Sequence, residues 1–277
     1  MKKIFNIILS TIISTSLILN MFADTDQNHT SDEDVKQLIS SIDELSYSEQ
    51  ISIIEKSDLS DIVKNEVLEQ IKYLEYISDN REVIEAKLDN SFQLTVQFHS
   101  QINDDYCGPA TLQQTYEYLY YLKHKWYYAP SQETIYKEIS NDDSTDIERY
   151  KMVDYLNNSD LNRTFRSQWF SSSTTQDVFD TCIKNNISSK TPVVMHIIVS
   201  SSQSGRKSYD DTSKWLFKTS GHFLNVSGYD FSSSNSKRYC VVDPYADRYP
   251  NFSSGIYYVT NTITKASTDY AIINADI

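Results

Sequence analysis

The pattern of apolar and polar positions divides the chain into three textures. Residues 4–19 are almost continuously apolar, lightened by Ser and Thr, with Lys2 and Lys3 before them and Asp24-Thr-Asp beyond. A basic start, a short apolar run and the small residue Ala23 ahead of polar sequence form the pattern of a cleavable export signal over 1–23. The run is short for a membrane span, and no second apolar segment of that length follows. Between 24 and 95 the apolar residues recur at helical spacing. Ser31 and Asp34 resemble a capping box opening a helix over 35–45. Ser57 is placed to cap a longer helix in which Leu59, Ile62, Val63, Val67, Ile71 and Leu74 form a stripe. From 96 to 277 helix and strand patterns mix. A helix is predicted over 111–123, an apolar strand over 192–199, and a hairpin from strands at 220–229 and 237–244 around a turn at 230–236. Ser/Thr/Asn-rich stretches at 171–175, 200–205 and 232–236 read as loops.

Charge sharpens the division. The net charge is -13, and residues 24–95 carry 18 acidic against 6 basic side chains. Such a surface excludes nonspecific nucleic-acid binding, which exchanges protein cations for phosphate counterions. The acidic segment lacks Gly, Pro and Cys and suits either a propeptide or a permanent helical accessory. The expected domains are therefore a signal at 1–23, an acidic helical segment at 24–95 and a main domain at 96–277. The expected location is secreted or cell-surface, without stable membrane association after signal cleavage. The 21 tyrosines, dense between 116 and 128, read as a compositional habit of the chain.

Three cysteines, at 107, 182 and 240, are too few for a disulfide framework. Cys182 and Cys240 sit among apolar residues and read as buried thiols. Cys107 stands in Gln101-Ile-Asn-Asp-Asp-Tyr-Cys107-Gly-Pro-Ala, directly before the predicted helix, with Pro109 in the first turn, where its missing N–H is not needed. A helix N-terminus favours an anion and so lowers a thiol pKa toward the nucleophilic thiolate. Gln101, six residues upstream, is placed to donate its amide to a developing oxyanion.

A thiolate nucleophile needs an imidazole partner. His29 and His124 read as exposed, His99 as an edge of the cleft and His196 as a core histidine in its apolar strand. His222, in Ser-Gly-His-Phe-Leu-Asn-Val-Ser-Gly-Tyr, lies on the first hairpin strand, and Asp243 of Val-Val-Asp-Pro closes the second. A hairpin symmetric about Ser232 and Ser233 would set His222 directly opposite Asp243, close enough for the carboxylate to orient the imidazole. Taken singly, Gly-His reads as a structural histidine and Asp-Pro as a turn opener. Taken with Gln101 and Cys107 they read as a catalytic set. No cofactor and no metal is expected, because no His-Glu-x-x-His, Cys-x-x-Cys or Gly-rich phosphate cradle occurs, and Asp142, Asp143 and Asp146 lack the glycine of a calcium loop.

These residues resemble the C39-like peptidase family of the papain-like superfamily. The matching marks run in order: Gln101 with Cys107-Gly-Pro-Ala, Gly221-His222-Phe with Gly228-Tyr-Asp, and Val242-Asp243-Pro. The resemblance implies an α+β, papain-like fold with a central nucleophile helix packed on an antiparallel sheet, here preceded by a small helical segment. It implies Cys107 as nucleophile, His222 for proton transfer, Asp243 to orient it and Gln101 in the oxyanion hole, acting on a peptide or protein substrate. No P-loop is present, unlike the exporter-borne members, so a stand-alone exported enzyme is expected. Cell-wall amide hydrolysis or acyl transfer would use the same set, and a non-catalytic binding protein could occupy the same fold.

Overall fold

The computed structural model describes residues 32–57, 59–140 and 147–276. Residues 1–23, expected to form an export signal, lie outside these residues, as do Ser31, His29 and the Asp142/Asp143/Asp146 patch. The described residues form two compact units, those of 1–80 with 171–175 and those of 81–170 with 176–277.

In the first unit, helices α1 (Asp32–Ile42) and α2 (Tyr47–Lys56) precede α3 (Asp61–Glu85), which runs on past the unit. The predicted stripe is real: Leu59, Val63, Val67, Ile71 and Leu74 are buried, whereas Ile62 is exposed. The capping assignment is corrected. Ser57 ends α2, donating its N–H and hydroxyl to the Ile54 carbonyl, and it is Ser60 whose hydroxyl accepts from Val63 N–H in the first turn of α3. Ser46 with Glu49 forms a complete capping box at α2. Asp43, buried, accepts from the hydroxyls of Ser171, Ser172 and Ser173 and thereby ties down the 171–175 loop.

The second unit is built on one antiparallel sheet. Its strands are β1 (Ser91–Gln93), β2 (Phe165–Trp169), β3 (Val193–Val199), β4 (Thr219–Asp230), β5 (Arg238–Val242), β6 (Ile256–Thr260) and β7 (Thr268–Asn274). They run in the order β2-β7-β3-β4-β5-β6, with β1 paired to the far end of β4. The helices are α4 (Cys107–His124), α5 (Gln132–Ile139), α6 (Arg149–Asn157), α7 (Gln176–Ser188) and α8 (Asn261–Ser267). This is the α+β architecture expected, with the Cys107 helix packed on β4.

Buried polar groups fix where α4 sits on the sheet. Asn225 of β4 donates to the Thr111 carbonyl and Gln114 Oε1, each at 3.0 Å, and accepts from the Thr115 hydroxyl at 2.8 Å. All four side chains are fully buried. The Asn225 amide is bonded at both its nitrogen and its oxygen, so any slide of helix on strand leaves it buried and unpaired. On α7, the buried carboxylate of Asp180 accepts from Tyr239 of β5, from Asn261 of α8 and from Gln176. It joins three elements in the same way.

Candidate active site

Cys107 is the first residue of α4, and Tyr106 caps the helix by backbone alone. The residue as a whole is half-buried. Burial pushes its pKa up, but the hydrogen bond and positive charge of His222, with the backbone N–H groups of Phe223 and Gly108, outweigh this and hold it below the usual thiol range. Gly108 matters because a Cβ there would lie 2.7 Å from Ile147 Cδ1, so the wall beside the thiol closes on bare backbone.

His222 sits near the start of β4, buried. Its Nε2 lies 2.8 Å from Asp243 Oδ1, which leaves Nδ1 as the nitrogen for the thiol. Burial disfavours the imidazolium, yet the Asp243 carboxylate and the Cys107 thiolate on its two sides raise His222 to about 10. Sulfur and imidazole thus form one coupled pair with the proton on nitrogen. Asp243 is wholly buried and accepts two further bonds, from Tyr245 N–H at 2.9 Å and from the Tyr257 hydroxyl at 2.7 Å.

The hairpin register differs from the symmetric one expected. Asn225 faces Val242 and Val226 faces Val241, and a bulge at Ser227 shifts the rest, so that Gly228 faces Cys240. His222 is therefore not directly opposite Asp243. The two meet diagonally, by side-chain reach, where the sheet frays beyond Val242.

Gln101 is buried, and its backbone N–H donates to the Pro244 carbonyl at 3.0 Å, which places it against the segment just after Asp243. Its side-chain amide donates to the carbonyls of Asn103 at 2.7 Å and Asp104 at 3.1 Å. The amide donor is thus held by the loop leading into α4.

The remaining described histidines have other partners. His99 Nε2 meets Glu117 Oε2 at 2.8 Å, His124 stacks on Tyr120 with centroids 4.1 Å apart, and His196 stacks on Tyr270 with Nδ1 3.3 Å from Asp269. Cys182 and Cys240 are buried thiols. Phe217, Tyr245 and Tyr249, which sequence reasoning did not single out, form an aromatic wall over His222, with Phe217 edge-on at 5.0 Å. The one signal for them is proximity, since Tyr245 follows Asp243-Pro directly.

Cysteine at a helix start, imidazole and buried carboxylate are the elements of nucleophilic acyl transfer, and residues 93–268 match the Peptidase_C39 like family. The chain belongs to that family. It is one of cysteine peptidases. No curated protein matches the chain. Among solved structures it is similar to a recombinant stem bromelain precursor (10% identity, 70% of this chain and 72% of that one, TM-score 0.49). It is likewise similar to the proform of the ragweed pollen allergen Amb a 11 cysteine protease (9%, 89% and 88%, TM-score 0.47). A third is the cysteine protease and lectin-like domains of Cwp84, a surface layer associated protein of Clostridium difficile (12%, 73% and 58%, TM-score 0.44). Among the described residues no helix is long and apolar enough to cross a membrane, and no group of three potential metal ligands occurs.

Proposed function

We propose that this protein is an exported cysteine peptidase that hydrolyses peptide bonds through Cys107, His222 and Asp243. The observation that carries the reading is the chain of contacts from a helix-start thiol to an imidazole to a buried carboxylate. The thiolate of Cys107 attacks the carbonyl carbon. The imidazolium of His222 then protonates the leaving amine through Nδ1, and the neutral imidazole activates water for deacylation. Asp243 holds the imidazole in orientation and stabilises its charged form. Gln101 contributes to the oxyanion site by turning its amide from the Asn103 and Asp104 carbonyls toward the developing charge. Each donor so aimed is worth roughly 3–4 kcal/mol. Residues 1–23 direct export, and the acidic segment 24–95 acts as accessory or propeptide.

The test is the rate of iodoacetamide labelling against pH for the wild type, Cys107→Ala and His222→Ala, run beside hydrolysis of a quenched peptide library. We expect a fast phase titrating well below the ordinary thiol value of about 8.5, absent in the first variant and slowed in the second. We also expect peptide cleavage that both variants lose. Slow, uniform labelling of the wild type, or cleavage unchanged in Cys107→Ala, would refute the proposal.

A further inference from the structure

Asp243 has an unusual set of partners for a buried carboxylate. Among the described residues its only ionic partner is His222. Its second oxygen is satisfied by a neutral group, the Tyr257 hydroxyl at 2.7 Å, and among the described residues it forms no ion pair with lysine or arginine. Tyr257 lies on β6, opposite Val241, and is completely buried. A tyrosine there is a costly way to fill a core position unless its hydroxyl has a partner. The partner is the one carboxylate that faces His222.

The ring is fixed from three sides. Arg206 lies 5.0 Å from its centroid, Phe252 meets it at 5.6 Å and Trp215 edge-on at 6.5 Å. Arg206 is itself buried, and its guanidinium is spent on backbone carbonyls: Nε donates to Ser208 and the two terminal nitrogens donate to Tyr258 and Tyr209. A cation placed on an aromatic face and bonded to three carbonyls locks both the ring and the loop that carries it. That loop is in turn joined across its base, where Arg206 N–H donates to the Trp215 carbonyl and Trp215 N–H to the Gln203 carbonyl. The Trp215 indole reaches the Ser267 hydroxyl at 2.9 Å.

We infer that Tyr257 is a positioning residue of the active site: its hydroxyl pins Oδ2 of Asp243 so that Oδ1 faces His222, with Arg206 fixing the ring. The inference rests on the peptidase reading above and adds a fifth side chain to it. Burial and the adjacent Asp243 charge both keep the Tyr257 phenol protonated, so it is a donor throughout the working pH range. The carboxylate oxygen toward Tyr257 then has no reason to rotate toward the imidazole, and only one orientation of Asp243 satisfies all three donors.

The experiment is the same labelling profile on Tyr257→Phe, which removes one oxygen and keeps the ring. We expect labelling at neutral pH about tenfold slower than wild type, as for loss of one hydrogen bond to a charged group, and a midpoint moved toward that of an ordinary thiol. Combined with Asp243→Asn, the second change should alter the rate by less than about twofold, because both act through one carboxylate. Arg206→Lys should move the profile in the same direction and less far. Met152→Ala, buried in α6 where it packs toward β2, α4 and α5, serves as the packing control. It should lower the melting temperature and leave the pH midpoint in place. A wild-type profile in both Tyr257→Phe and Arg206→Lys would overturn the inference while leaving the peptidase reading intact. A wild type with no fast phase dependent on Cys107 would overturn both.

Discussion

At the scale of single residues the site is a contest between burial and charge. Burial alone would keep the Cys107 thiol protonated and strip the proton from His222. Each side chain reverses the other's penalty, and Asp243 tips the pair toward thiolate and imidazolium by standing on the far side of the ring. It follows that Asp243→Asn, which keeps shape and removes charge, should leave the fold intact. It should also reduce peptide hydrolysis by at least about a hundredfold. Steady-state kinetics will show this as a fall in kcat rather than a rise in KM, since Asp243 is buried away from substrate. Retention of most of the wild-type kcat would show that the imidazole needs no counter-charge.

At the scale of elements, the geometry depends on how strands end. Asp243 follows β5, and its N–H donates to the Gly255 carbonyl at 2.8 Å, so the turn before β6 sets the position of the carboxylate. Gly255 adopts φ of 69°, and a Cβ there would stand 1.9 Å from Phe98 Cδ2. Gly255→Ala therefore brings left-handed strain and a collision with a ring together, and should cost roughly 2–4 kcal/mol in chemical denaturation. It should also slow Cys107 labelling, because the backbone that holds Asp243 must move. A variant as stable as wild type would mean the turn relaxes freely. The bulge at Ser227 belongs to the same argument. It falls where β4 passes from pairing with β3, over residues 219–226, to pairing with β5, over residues 225–230.

At the scale of the whole molecule, the coupled pair makes stability depend on pH in a defined way. His222 is raised from its ordinary 6.5 to about 10, so its contribution is complete below about 6.5 and is lost as pH rises toward 10. Cys107 is lowered from 9.0, so its contribution is present above 9.0 and is lost as pH falls through its folded value. Between 6.5 and 9.0 the two slopes cancel, because folded and unfolded chains each hold one proton on the pair. The stability difference between wild type and Cys107→Ala/His222→Gln, followed by urea unfolding, should be flat across that window. It should fall below 6.5 and again above 9.0. A slope across the plateau would show that the pair is not coupled as described. Activity should fall near pH 10 for the same reason, as the imidazolium is lost. The acidic segment is tested at this scale too. The compact second unit begins at Arg81 and includes β1, whose register with β4 runs from Ser91 to Gln93. A chain starting at residue 81 thus keeps the sheet whole. If the segment before it is an inhibitory propeptide, this chain should hydrolyse peptides faster than one starting at residue 24, and equal turnover would contradict that role.

The sequence by itself determined what depends on local order: the apolar stripe of α3, the helix after Cys107, the strand on either side of His222, and the two buried cysteines. These follow from periodicity, breakers and caps, which act over a few residues. Even there Ser57 and Ser60 exchanged roles, because a serine between two helices can end one or begin the next, and packing chooses. The residues of the candidate site were legible as types in a family pattern, but their meeting was not. Hairpin symmetry about Ser232 and Ser233 gave the wrong register, since the turn is centred further along the chain, with Asp230 facing Arg238, and the centre of a turn in a Ser-rich loop leaves no mark in composition. Tyr257, Arg206 and Phe217 were invisible because they come from separate segments, and only the assembled sheet with its folded 200–217 segment brings them against Asp243 and His222. Such contacts form when burial, hydrogen bonding and charge are satisfied together across the fold, a condition that no stretch of sequence contains.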